Sequence, residues 1–409
     1  MPRPPRDYIG LHFDFRFRRL IVTHFLDGTG NTLVAIALAG TLFFSVPTEK
    51  AASQVLLYLL FTVAPFAIVS AVLGPLLDRG GAVRKAAVIL AGFGRMVIAW
   101  MMATRTDSIV LFLLALAILV GQRLFSITRA ALVPACLPPE QSLIEANSFL
   151  ARSSAVAGIA TALVGVIVQK LFGAGWVVRL AAVAYVLMGL SGFLLPSPRA
   201  RRSTTPPPSE QRIDYDHTVM LRPGLRAIAA LRALSGFLLF MLAFAVRRES
   251  NSVGFGTLLI GIGIGALISS VLAPWLTKRA RTDVVLFSCF LGAGLATIIA
   301  ARFYSRLAPA LLAAAVGIAF GTSKLAFDSM AQTGLPRDIQ GRRFARWETA
   351  FQLAWVSGAI LPVAVTLPTR PALVIAGLAT VVGSLFYLVD VTRIRRNPLT
   401  HHPPAPATP

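Results

Sequence analysis

Three polar residues interrupt an apolar stretch near the amino terminus: His24, Asp27 and Asn31. Steps of three and four residues set them on one face of a helix, with Asp27 roughly 10 Å inside the span by helix rise. A charged carboxyl in hydrocarbon costs several kcal/mol unless it is paired or hydrated. The stripe is therefore expected to face a cavity, with Asp27 the leading candidate to bind a proton. The structural alternative for Asp27 is a permanent ion pair, with Arg123 as the expected partner. Arg123 and Arg232 are also placed to hold an anionic group of a solute. Lys324 and Asp328 stand four residues apart and read as an ion pair that gates or anchors the cytoplasmic end of their span. Glu348, Gln352 and Trp355 form another stripe, whose role stays open. Arg129, Arg152 and Arg179 lie near span ends, where snorkelling to headgroups accounts for them.

Other chemistries lack their parts. No Ser/His/Asp set, HExxH or paired-Cys spacing is present, so the sequence predicts no enzyme, no cofactor and no metal site. Cys136 and Cys289 stand alone. Gly261, Gly263 and Gly265 lack the preceding strand and the Lys-Ser/Thr pair of a phosphate loop, and read as small residues that let helices approach.

The elements that must position these residues follow from composition. Of 409 residues, 56% are hydrophobic and 14% charged, outside the range of soluble domains. Apolar runs long enough to cross about 30 Å of hydrocarbon recur throughout, without the alternation of a barrel strand. They predict spans at 20–46, 55–77, 86–104, 109–132, 146–169 and 176–196, then 225–246, 254–276, 283–301, 307–329, 347–367 and 371–391. The formal charge of +22 is dispersed in short loops, which excludes a nucleic-acid surface. Loops on the side of both termini carry roughly three times as many Lys and Arg as those opposite, so both ends are expected in the cytoplasm. The first apolar run is too long for a signal-peptide core and reads as a retained helix. The excess of Arg over Lys and the abundance of Ala suggest a GC-rich bacterial genome, and with the apolar spans the expected location is the plasma (inner) membrane.

The expected organisation is a six-helix bundle over 1–196, a cytoplasmic linker over 197–224 with Pro206, Pro207 and Pro208, a second bundle over 225–392 and a disordered tail over 393–409. The bundles are internally related. SAVLGPLLDR at 70–79 matches SSVLAPWLTK at 269–278, and Leu137-Pro138 with Glu140 falls on Leu335-Pro336 with Asp338 at nearly the same offset. Parallel repeats of this kind are a transporter plan with the solute site between the halves.

Gly74, Leu76, Asp78, Arg79 and Gly81, followed by Arg84 and Lys85, resemble the loop 2-3 signature of the major facilitator superfamily. Two differences stand out: the basic pair arrives two residues late, and the fifth span, GIATALVGVIV at 158–168, lacks a Gly-Pro antiporter signature. Residues 131–147 are similar to loop 4-5 of exporter-type facilitators. The resemblance implies an all-α membrane fold of twelve helices in two pseudo-symmetric bundles. It further implies a conformational latch at Gly74, Asp78, Arg79, Gly81, Arg84 and Lys85. The implied function is alternating-access secondary transport of a small solute by a monomer, as proton-coupled efflux by antiport; the mix of Asp27 with arginines suits an amphiphilic or zwitterionic solute. The competing reading is a membrane sensor or scaffold on the same fold that transports nothing.

Overall fold

The computed structural model describes residues 14–38, 81–105, 110–137, 141–196, 208–248, 252–335, 339–365 and 367–396. Eleven helices and no strands occur among the described residues: α1 (Phe15–Leu38), α2 (Gly81–Ala103), α3 (Val110–Cys136), α4 (Leu143–Phe172), α5 (Ala174–Phe193), α6 (Pro208–Arg248), α7 (Ser252–Arg279), α8 (Thr282–Arg302), α9 (Ala308–Gly334), α10 (Gln340–Ala364) and α11 (Thr369–Arg396). Ten are long and apolar enough to cross a membrane; α10 falls short because its first half is polar. The expected second span, 55–77, lies outside the described residues, and so do Gly74, Asp78 and Arg79. The helices α1 and α2–α11 therefore correspond to the first span and the third to twelfth.

Two sets of helices pack by one scheme. In the first set α2 lies against α5 and α3, and α1 against α4 and α5; in the second α8 lies against α11 and α9, and α6 against α10 and α11. Each pairing in one set joins the spans equivalent to those joined in the other. The closest approaches repeat too. A methyl at Gly92 would strike the Gly189 backbone between α2 and α5, and one at Gly294 would strike backbone near Gly377 between α8 and α11. Gly261 and Gly265 press on the α9 backbone at Ala310 and Ala314, so these two serve helix packing as their sequence suggested, whereas Gly263 meets nothing. Outward faces carry exposed Leu163, Trp100, Ile375 and Phe386, the surface that lipid solvates.

The expected linker is shorter than its composition implied. The helix α6 begins at Pro208, so 208–224 is helical, with Leu221 buried and the Phe327 ring against Gly224. Proline in the first helical turn removes a donor that has no intrahelical partner anyway, so Pro208 can start a helix inside the expected linker. At the other end α11 continues to Arg396, four residues into the expected tail, and Arg395 pairs with Asp283.

Candidate functional site

The first-span stripe divides between two environments. His24 lines a cavity, but Asp27 and Asn31 turn into the seam with α2 and α5. Three residues advance a helix to roughly 60° short of a full turn, enough to carry a side chain from cavity to seam. The Asp27 partner is Arg95, not Arg123: the guanidinium lies 2.8 Å from the carboxylate, with side chains only 1% and 8% exposed. Asn31 donates to Asp27 at 3.0 Å, while its carbonyl accepts from Arg95 at 3.1 Å and from the Tyr185 hydroxyl at 3.0 Å. Arg95 also donates to the Ala91 carbonyl at 2.8 Å and rests over the Tyr185 ring, 4.4 Å from its centroid. A side chain at Gly121 on α3 would collide with the Arg95 stem. This cluster is a closed network, and neither Asp27 nor Asn31 reaches the cavity lining. Arg123, half-buried on α3, is not among the described lining residues either.

The cavity, about 450 Å³, is walled by both sets of helices. The first set supplies His24 from α1, Arg129 from α3 and Ser154 from α4; the second supplies Arg232 from α6 with Lys324 and Asp328 from α9 and Glu348 from α10. Lys324 and Asp328 are bonded as their spacing predicted, at 2.6 and 2.7 Å. They face the cavity, however, and Lys324 also holds Glu348 at 2.9 Å. Arg129, read as a snorkelling residue, opens onto the same space. Arg232 lies over Phe320, 5.1 Å from the ring centroid. Three cations thus face two carboxylates, against apolar wall from Phe320, Leu325 and Phe351.

A polar clamp joins the two sets on the side where α1 begins and α11 ends. Pro134 lacks an N–H, so the Ala130 carbonyl four residues before it loses its intrahelical donor. Gln332 of α9 donates to that carbonyl at 3.0 Å, and its own carbonyl accepts from Asn147 of α4 at 2.6 Å. Lys278 and Glu145 pair beside it at 2.5 Å. Asn147 is also part of the cavity wall, and Asp328 stands one turn along α9 from Gln332, so the clamp forms the cavity floor. Sequence reading passed over Gln332; the signal was Pro134, an interior proline whose orphaned carbonyl needs a donor. Of the expected latch, Gly81, Arg84 and Lys85 are described. Arg84 donates to the Ala131 carbonyl inside α3 at 3.3 Å, and Lys85 donates to the Phe193 carbonyl at 2.6 Å and so caps the carboxyl end of α5.

Residues 20–359 match the sequence model described as Major Facilitator Superfamily. The uncharacterized protein ML2143 of Mycobacterium leprae (strain TN) is 28% identical, over 89% of this chain and 70% of its own length. The human organic anion transporter MFSD10 (TETRAN) superposes with a TM-score of 0.66 at 16% identity, over 92% of this chain and 98% of that one. A bacterial homologue of the iron transporter ferroportin, in an outward-facing state with soaked iron, gives 0.65 at 17% identity and the same coverages. At these identities the superpositions speak for the fold.

Proposed function

Because the chain belongs to the major facilitator superfamily, we propose that it is a secondary transporter that carries a small solute outward by alternating access, with proton binding in the central cavity coupled to movement. The observation that supports this is the cavity of about 450 Å³ between the two helix sets, walled by titratable groups from both and closed at one end by a clamp that crosses between them. A site shared by two bodies that can rock is the arrangement alternating access requires. We assign the closed end to the cytoplasm of a bacterial inner membrane, on the charge of its loops. Outward movement rests on the likeness of residues 131–147 to exporters. The proton acceptors in this reading are Asp328 and Glu348, which share the single ammonium of Lys324, in place of Asp27, whose partners leave it no access to the cavity.

The test is reconstitution in proteoliposomes loaded with a mixed library of small organic acids, alcohols and amines, with efflux followed by mass spectrometry. At least one solute is expected to leave faster than from protein-free vesicles, and at a rate that responds to an imposed pH gradient. Flux without that response removes the coupling and leaves transport. No flux of any solute favours the sensor or scaffold.

A further inference from the structure

The charges around the cavity are not balanced in place. Asp328 and Glu348 both bind Lys324. Among the described residues, neither Arg129 nor Arg232 has a carboxylate within 4.0 Å, although both open onto the cavity. They come from opposite helix sets, Arg129 on α3 and Arg232 on α6. With Lys324 counted against its two carboxylates, the lining carries one net positive charge. Two guanidiniums in a half-closed, low-dielectric space attract a negative group strongly, and their planar N–H forks fit the paired oxygens of a carboxylate, sulfonate or phosphate.

The remainder of the wall is apolar. Phe320 lies under Arg232, Phe351 and Leu325 continue the surface, and Ala151, Ala155 and Ala266 supply small faces that leave room for a ring or chain. A volume of about 450 Å³ falls in the range of small-molecule sites, too small for a lipid with two long chains.

The geometry points to an amphiphilic organic oxyanion as the solute, its charged head held between Arg129 and Arg232 and its apolar body against Phe320 and Phe351. This rests on the reading of the cavity as the solute site. Because the head bridges the two helix sets, the ligand recruits both halves, and its affinity depends on each arginine.

The test is equilibrium binding to the full chain in lipid nanodiscs, with empty nanodiscs as reference and three probes of one shape: 4-phenylbutane-1-sulfonate, 4-phenylbutyltrimethylammonium and 4-phenylbutanol. The sulfonate is expected to bind at least ~10-fold more tightly than either other probe. Arg129→Gln and Arg232→Gln should each weaken it ~10-fold or more, in line with loss of a charge-assisted contact. Arg129→Lys and Arg232→Lys, which keep the charge and guard against misfolding, should weaken it less. Arg179→Gln, at a residue stacked on Trp176 outside the cavity, should change nothing. Preference for the cation or the alcohol, no binding of any probe, or sulfonate binding indifferent to both glutamine variants overturns the assignment. Library efflux that persists alongside any of those results leaves the transporter reading standing and removes only the oxyanion.

Discussion

Each half of the molecule holds a cluster of charge within its helices, and the two differ in their parts and in their placement. In the first half Asp27 and Arg95 are almost fully covered, at 8% and 1% side-chain exposure, and their remaining polar partners come from Asn31, Tyr185 and Ala91. In the second half Lys324, Asp328 and Glu348 are each about a fifth exposed, on the wall of the cavity. An ionisable residue in a span is a functional candidate by default. The contrast shows what divides scaffold from working part: whether its charges are paired inside one rigid unit, or whether one side is left to a space the solute can enter.

The largest expected effect lies in the sealed cluster, and it is on stability. Asp27→Asn or Arg95→Met leaves its partner buried without a counter-charge, at a cost of about 3–5 kcal/mol. Thermal unfolding of purified protein should show the loss for each single variant and recovery of most of it in Asp27→Leu with Arg95→Met. A stable Asp27→Asn variant that has lost its response to a pH gradient would reverse the comparison and return the proton to Asp27.

Next in size is the open cluster. Glu348→Gln leaves Lys324 bonded to Asp328, so stability should change by only about 1 kcal/mol, the scale of one partly exposed charged contact. The acceleration of efflux by a pH gradient should fall ~5- to 150-fold, the range of ordinary coupling energies. A variant that unfolds instead would make this cluster a second scaffold.

The sense of coupling sharpens the same contrast. The carboxylates of Asp328 and Glu348 face Lys324 directly and share the cavity with Arg129, Arg232 and His24. An oxyanion held by the arginines offsets their positive charge, so anion and proton reinforce each other's binding by Coulomb attraction. Proton and sulfonate should then cross together, where the sequence suggested exchange. A pH dye trapped in the vesicles reads the direction: sulfonate efflux should make the lumen more alkaline, and acidification would restore exchange.

How much of this was legible in the sequence depends on how far apart the partners lie. Ten of the spans and the Lys324/Asp328 bond follow from runs and spacings within one helix, and the relation between the two sets from a repeat along the chain. The depth of Asp27 along its span was legible for the same reason, but its direction was not, since it was expected to face the cavity and turns into the seam instead. Its partner was not, because Arg95 stands on another helix and nothing in local spacing distinguishes it from Arg123; Gly121, the residue that makes room for it, looks like any other small residue. Glu348 was missed as the third member of the cavity cluster for the same cause. Arg129 was misjudged because depth along a helix does not reveal which face the side chain takes.

The smallest effect concerns the clamp that lets the two clusters differ, since it closes the floor beneath the open one and touches nothing of the sealed one. Gln332→Leu leaves the Ala130 carbonyl without a donor and Asn147 without its acceptor, which should shift the balance between closed and open floor by about 1–2 kcal/mol. Spin labels on the first turns of α4 and α10, in a background without Cys136 and Cys289, report the separation. The decisive control is Pro134→Ala, which supplies an N–H within α3 for that carbonyl. In that background the Gln332→Leu shift should shrink by roughly half, because only the Asn147 bond is then lost. Equal shifts in both backgrounds would mean that the proline has no part in the clamp, and that the floor is held by Lys278 with Glu145 and by packing.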